Sequence, residues 1–121
     1  MKKILIIEDD ELINKVLIET ISKAGFSPTK TVDAFQGQQA LMSLKPDLVI
    51  LDLMLPAGHG LDVLRNIRSS FQTQNIPIII LTAIQDEGVR AEVESQGVQA
   101  YIKKPFDKEQ LIGKIKQILG Q

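Results

Sequence analysis

Leu48-Val49-Ile50-Leu51-Asp52 is the stretch that decides the fold. Four apolar residues without a charge end in a carboxylate. Such a run reads as a strand covered on both faces, the habit of parallel sheets. Leu53 to Gly60 follow, and Pro56, Gly58 and Gly60 mark that segment as a loop. A carboxylate at the carboxyl end of a buried strand sits where open α/β sheets bind ligands. An Asp at a strand end is common, so the rest of the chain must decide what Asp52 does.

Before that strand, Ile4 to Ile7 form another apolar run. Asp10 reads as the cap of a first helix, with Ile13, Val16, Leu17, Ile21 and Ala24 at helical spacing and Gly25 closing it. Ser27 to Val32 make a weaker strand, nearer an edge because Pro28 has no N–H to give a ladder. Asp33 caps a second helix holding Ala40, Leu41 and Leu44, which Gly37 weakens. After the loop, Leu61, Leu64, Ile67 and Phe71 outline a third helix. Ile78 to Leu81 are a fully apolar strand, and Val98 to Lys103 a fifth one. Between these two, Asp86 to Gln96 form a helix with only Val89, Ala91 and Val93 as anchors, a less stable part. Leu111, Ile112, Ile115, Ile118 and Leu119 give the apolar face of a last helix capped by Asp107. Strand and helix alternate throughout, which argues an α/β fold with a parallel sheet covered on both faces.

Composition narrows the function. A chain of 121 residues is expected to form one domain, residues 1–121. The 44% hydrophobic share argues against disorder. A net charge of -1 offers no basic footprint for nucleic acid. Absence of cysteine excludes disulfides, thiolate metal sites and cysteine nucleophiles. The apolar run after Met1-Lys2-Lys3 is too short for a signal peptide, and Glu8 to Glu11 end it. No stretch is long enough to span a membrane, so a cytoplasmic location is expected.

Polar residues follow each strong strand. They are Glu8 and Asp9 after the first, Asp52 after the third, Thr82 after the fourth and Lys104 after the fifth. In a parallel sheet these ends share one edge. Clustered carboxylates repel unless a cation joins them. Oxygen ligands without His or Cys point to Mg²⁺ or Mn²⁺. Thr82 can donate to a phosphoryl oxygen, Lys104 can pair with its charge, and small Ala83 leaves room for an incoming donor. A carboxylate between a metal and an ammonium can form an aspartyl phosphate.

The motifs IIEDD at 6–10, LVILDLMLP at 48–56, Gly60, IIILTA at 78–83 and AYIKKPF at 100–106 stand in an order and spacing that resemble a response-regulator receiver domain of two-component signalling. The resemblance covers the whole chain. It implies a flavodoxin-like, doubly wound parallel sheet of five strands in the order 2-1-3-4-5, with five helices. It implies that Asp52 takes a phosphoryl group from a phosphohistidine of a sensor histidine kinase or phosphotransfer protein. Asp9, Asp52 and the backbone carbonyl of Met54 would ligate Mg²⁺, with Glu8 acting mainly through water. Thr82 and Tyr101 resemble the family's switch pair, and Lys104 its phosphate-binding lysine, joined to Pro105 by a cis peptide. Met54 and Ile84 would lie beside the phosphoryl group; both are apolar and cannot orient water, so slow autodephosphorylation is expected.

The same resemblance implies that the surface around the fourth helix, fifth strand and fifth helix changes on phosphorylation. Gln99 and Ala100 stand where many DNA-binding relatives carry two acids before the switch tyrosine, which puts that dimer mode in doubt. The expected state is a monomer or a phosphorylation-dependent dimer. Output is expected through a downstream protein or a missing output domain, without direct contact to nucleic acid or membrane. Rival readings are weaker. A haloacid-dehalogenase-type phosphatase wants an acid where Met54 stands, an acidic first loop would repel the phosphate of a flavin, and the intact acid set argues against a pseudo-receiver. Blander roles are assigned to Asp10 as a cap, Lys103 as a surface residue, His59 as an exposed loop residue, and Gly58 and Gly60 as turn residues.

Overall fold

The computed structural model describes residues 1–56 and 60–121. Its strands are β1 (Lys3–Ile7), β2 (Ser27–Thr31), β3 (Leu48–Leu51), β4 (Ile78–Thr82) and β5 (Ala100–Lys103). Its helices are α1 (Glu11–Lys23), α2 (Ala34–Leu44), α3 (Gly60–Ser69), α4 (Glu87–Ser95) and α5 (Lys108–Leu119). The sheet runs β2-β1-β3-β4-β5, and every pairing is parallel. This is the doubly wound order expected from the motifs, with β2 and its Pro28 at an edge.

Side-chain alternation explains the apolar runs. Leu5, Ile7, Val49, Leu51, Ile78 and Ile80 face one side and pack with Leu41, Val63, Leu64, Ile67 and Val93 of α2, α3 and α4. Ile4, Ile6, Leu48, Ile50, Ile79, Leu81 and Ile102 face the other, against Leu17, Ile21, Leu111 and Ile115 of α1 and α5. Successive residues of a strand point to opposite faces, so two covered faces require unbroken apolar sequence. Each buried Leu or Ile contributes about 1.5–3 kcal/mol of transfer free energy. Helix starts are equally local: Asp10, Asp33, Asp86 and Asp107 each accept a backbone N–H three residues on.

Four details depart from the sequence reading. Phe71 lies beyond the end of α3 and is 88% exposed; Val63 takes its place in the core. Helical spacing stops counting once the helix ends at Ser69. Ala91 is exposed, so Val93 alone of the α4 anchors is fully buried. Gly37 is more than a weak helix former: an added Cβ would lie 2.7 Å from Ile7 Cδ1, so its lack of a side chain lets α2 press on β1. Gly60 is the first residue of α3 and not a turn residue, and its N–H donates to Leu53 O at 3.2 Å. Gly58 and His59 lie outside the described residues.

With so little apolar anchorage, α4 relies on polar ties from α3. Arg65 pairs with Glu92 across the two helices. Arg68 donates to Gln96 O at 3.1 Å and Gly97 O at 2.9 Å, just past the end of α4. It also holds Gln74 O at 3.1 Å and Ile76 O at 2.9 Å before β4. A cation at a helix carboxyl end is favoured by the helix dipole and satisfies carbonyls that lack a helical partner.

Candidate functional site

The register brings the strand ends to one edge. Ile7 pairs with Leu51, Leu51 with Ile80, and Thr82 with Lys103. Residues next in sequence therefore gather there. Glu8 and Asp9 leave β1, Asp52 leaves β3, and Lys104 leaves β5. Glu8 N–H donates to Thr31 O at 3.0 Å, Asp52 N–H to Ile7 O at 3.0 Å, and Lys104 N–H to Thr82 O at 2.9 Å. Glu8, Asp52 and Lys104 are thus each the first residue past a strand, still tied to the neighbouring one, and Asp9 is the second past β1.

Glu8 and Asp52 are buried, while Asp9 is exposed. One carboxylate oxygen from each lies within 4.8 Å of the others. Lys104 Nζ donates to Glu8 Oε1 at 2.5 Å and to Asp52 Oδ2 at 2.8 Å. The other Asp52 oxygen accepts from Met54 N–H at 3.0 Å. The other Glu8 oxygen accepts from Asp10 N–H at 3.0 Å. Neither buried carboxylate is left bare.

The electrostatics follow from three neighbouring acids, of which Glu8 and Asp52 share the one Lys104 ammonium. Burial pushes the Glu8 carboxyl above its ordinary value; hydrogen bonds from Lys104 and Asp10 oppose this, and the charge of Asp52 adds to it. Burial pulls the Lys104 ammonium down, but its hydrogen bonds to Asp52 and Glu8 outweigh that, and its pKa is raised. The cluster holds excess negative charge. Such an all-oxygen donor set fits a hard divalent cation that keeps some of its water, the habit of Mg²⁺.

Thr82 closes β4, is fully buried, and its hydroxyl oxygen accepts from Ile84 N–H at 3.4 Å. Ala83 is exposed beside it, and Ile84 is half-buried. Tyr101 is half-buried on β5 and donates its hydroxyl to Ile84 O at 2.7 Å. The Arg90 guanidinium of α4 sits 4.8 Å from the Tyr101 ring centre. Met54 is 57% exposed above β3. Lys103 is exposed while Lys104 turns inward, and the Lys104–Pro105 peptide is cis. Alternation along the strand separates the two lysines.

The role of Asn14 and the close packing of Gly60 escaped the sequence reading. Asn14, on the buried stripe of α1, donates its amide to Glu8 O at 2.6 Å. A polar residue in register with Leu17 and Ile21 was the available signal. Gly60 packs so closely on the backbone of Asp52 and Leu53 that a Cβ would fall on the Asp52 carbonyl oxygen. Only the tertiary contact shows that need.

Comparison with known proteins places this geometry. The family model of the response regulator receiver domain matches residues 4–116. The DNA-binding dual master transcriptional regulator RpaA of Synechocystis sp. is 34% identical over 119 residues, 98% of this chain and 49% of that protein. The chain therefore spans about half the length of that relative. The signal receiver domain of a DNA-binding response regulator from Colwellia psychrerythraea superposes with a TM-score of 0.93 at 28% identity, covering 100% of both chains. The receiver domain of the sensor histidine kinase PA1611 from Pseudomonas aeruginosa gives 0.88 at 27% identity over 99% of this chain and 98% of that one. That structure holds a magnesium ion in its active-site cleft.

Proposed function

This chain belongs to the response regulator receiver family of two-component signalling, and on that premise we propose that residues 1–121 form a phosphoacceptor switch centred on Asp52. The observation that carries the reading is the meeting of Glu8, Asp9 and Asp52 carboxylates beside the Lys104 ammonium. An Asp52 oxygen attacks the phosphorus of a phosphohistidine on a partner kinase or phosphotransfer protein. The P–N bond breaks, the imidazole leaves with its electron pair, and an acyl phosphate remains on Asp52. Asp9, Asp52 and the Met54 carbonyl would hold Mg²⁺, with Glu8 acting through water; Mn²⁺ shares the oxygen preference. When bound, the ion neutralises charge that builds on the transferring oxygens.

The remaining work falls to the chain. Lys104 exchanges part of its carboxylate pairing for a phosphoryl oxygen, and Thr82 donates its hydroxyl to another. That draws the connection after β4 inward, with Ala83 leaving room. Tyr101 and the lightly anchored α4 follow, altering the surface of α4, β5 and α5 for a downstream protein or output domain. A ligand shifts such an equilibrium only by its preference for one state. Among the described residues no helix is long and apolar enough to cross a membrane.

The test is incubation with a small-molecule phosphodonor and MgCl₂, followed by mass spectrometry of the intact chain. One acid-labile phosphoryl group on wild type, none on Asp52→Ala, and none after chelation are expected. A wild-type chain that takes up no phosphoryl group, and whose spectrum ignores beryllofluoride with Mg²⁺, would make the protein a phosphorylation-independent binding module.

A further inference from the structure

Asn14 breaks the pattern of its helix. The buried residues of α1 are Asn14, Leu17 and Ile21, a single stripe facing the sheet. An apolar side chain is the stable choice at such a place, since a buried amide must be fully hydrogen-bonded to match it. Asn14 is only 1% exposed. Its amide nitrogen donates to Glu8 O at 2.6 Å, but its Oδ1 is the one buried side-chain polar atom without a partner among the described residues. A polar residue on a buried apolar stripe calls for an explanation in what it holds.

The explanation lies in what Asn14 touches. The Glu8 carbonyl belongs to the peptide that links Glu8 to Asp9. Glu8 N–H is held from the other side by Thr31 O at 3.0 Å. Both buried carboxylates have direct partners that aim them. Asp9 is different: it is exposed and has no side-chain hydrogen bond among the described residues. Its Cβ is placed by its backbone alone, and one plane of that backbone is the peptide Asn14 grips.

We propose that Asn14 is a positioning residue for the divalent ion, acting through the Glu8–Asp9 peptide to aim the Asp9 carboxylate at Asp52. This rests on the reading of the acidic trio as a cation site. Outer partners of this kind typically change metal affinity by about 10–100-fold when removed.

The test is a titration of ¹⁵N-labelled protein with MgCl₂, read from amide shifts of residues 8–10 and 52–54, beside thermal melts without the ion. Asn14→Leu keeps the branching and heavy-atom count of the side chain and removes its donor to Glu8 O. It is expected to stay folded at the titration temperature while binding Mg²⁺ at least about tenfold more weakly. Leu17→Val, on the same stripe but away from the loop, is expected to melt lower with unchanged affinity. Asn14→Ala serves as the second variant if the leucine fails to fold. Wild-type affinity in a folded Asn14 variant overturns the inference, as does an equal loss in Leu17→Val. A wild type that binds no Mg²⁺ overturns instead the reading beneath it.

Discussion

The Tyr101 hydroxyl donates to the backbone carbonyl of Ile84 at 2.7 Å, joining β5 to the connection between β4 and α4. Ile84 N–H in turn reaches the Thr82 hydroxyl oxygen at 3.4 Å. Tyr101 and Thr82, distant in sequence, therefore grip the same residue. Burial holds the phenol above its ordinary pKa, Arg90 opposing, so it remains a donor at neutral pH. Tyr101→Phe is expected to cost about 1 kcal/mol, the usual net worth of one hydrogen bond. Amides 84–87 should exchange faster in hydrogen-exchange mass spectrometry. Unchanged exchange there would mean that the hydroxyl does not restrain the connection.

Glu8 supplies a pH prediction with a definite sign. Its folded pKa is raised above the ordinary 4.5, burial being the largest cause. Its contribution to stability is therefore fully present below the unfolded value and lost as pH rises through the folded one. Glu8→Gln does not titrate and escapes that loss. In metal-free buffer the variant is expected to gain on wild type as pH climbs from about 4 through the raised value. Urea melts at several pH values check this; a difference that is flat with pH contradicts it.

Gly60→Ala tests the contact between α3 and the backbone just past β3. The added methyl meets the Asp52 carbonyl and Leu53 backbone, neither of which can rotate away. A loss of about 1–3 kcal/mol is expected, as for other overpacked sites. Gly113→Ala, where nothing lies within 4 Å, is the control and is expected to be neutral or stabilising. Equal effects at the two positions would refute the argument.

On the proposed reading of Asp52, Met54 and Ile84 are expected to set the lifetime of its phosphoryl group. Both are apolar, Met54 exposed and Ile84 half-buried beside Tyr101. The acyl phosphate on purified protein is expected to decay slowly, and Met54→Asn or Ile84→Gln to speed decay about tenfold, ~1.4 kcal/mol of barrier. Decay within seconds in wild type, or no acceleration in either variant, counts against it.

Arg68 shows where reading the chain runs out. Its basic side chain near the end of α3 resembles a solvated surface charge, yet it gathers carbonyls from Gln74, Ile76, Gln96 and Gly97. Nothing in the local sequence announces those partners, because carbonyl positions depend on how two connections pass each other in space. Phe71 errs in the opposite direction: it keeps helical spacing but falls after the helix has ended.

Sequence alone determined the order of elements, the parallel sheet, the helix caps and the candidate set Glu8, Asp9, Asp52, Thr82 and Lys104. These are legible because unbroken apolar runs, Asp caps and strand-end polar residues are local patterns with local causes. Tertiary structure decided that Lys104 shares itself between two buried acids, that Gly37 and Gly60 are spaces left for other backbones and side chains, and that Asn14 reaches the Glu8 carbonyl. Such facts are distances between groups far apart along the chain. They exist only once burial has fixed which faces meet.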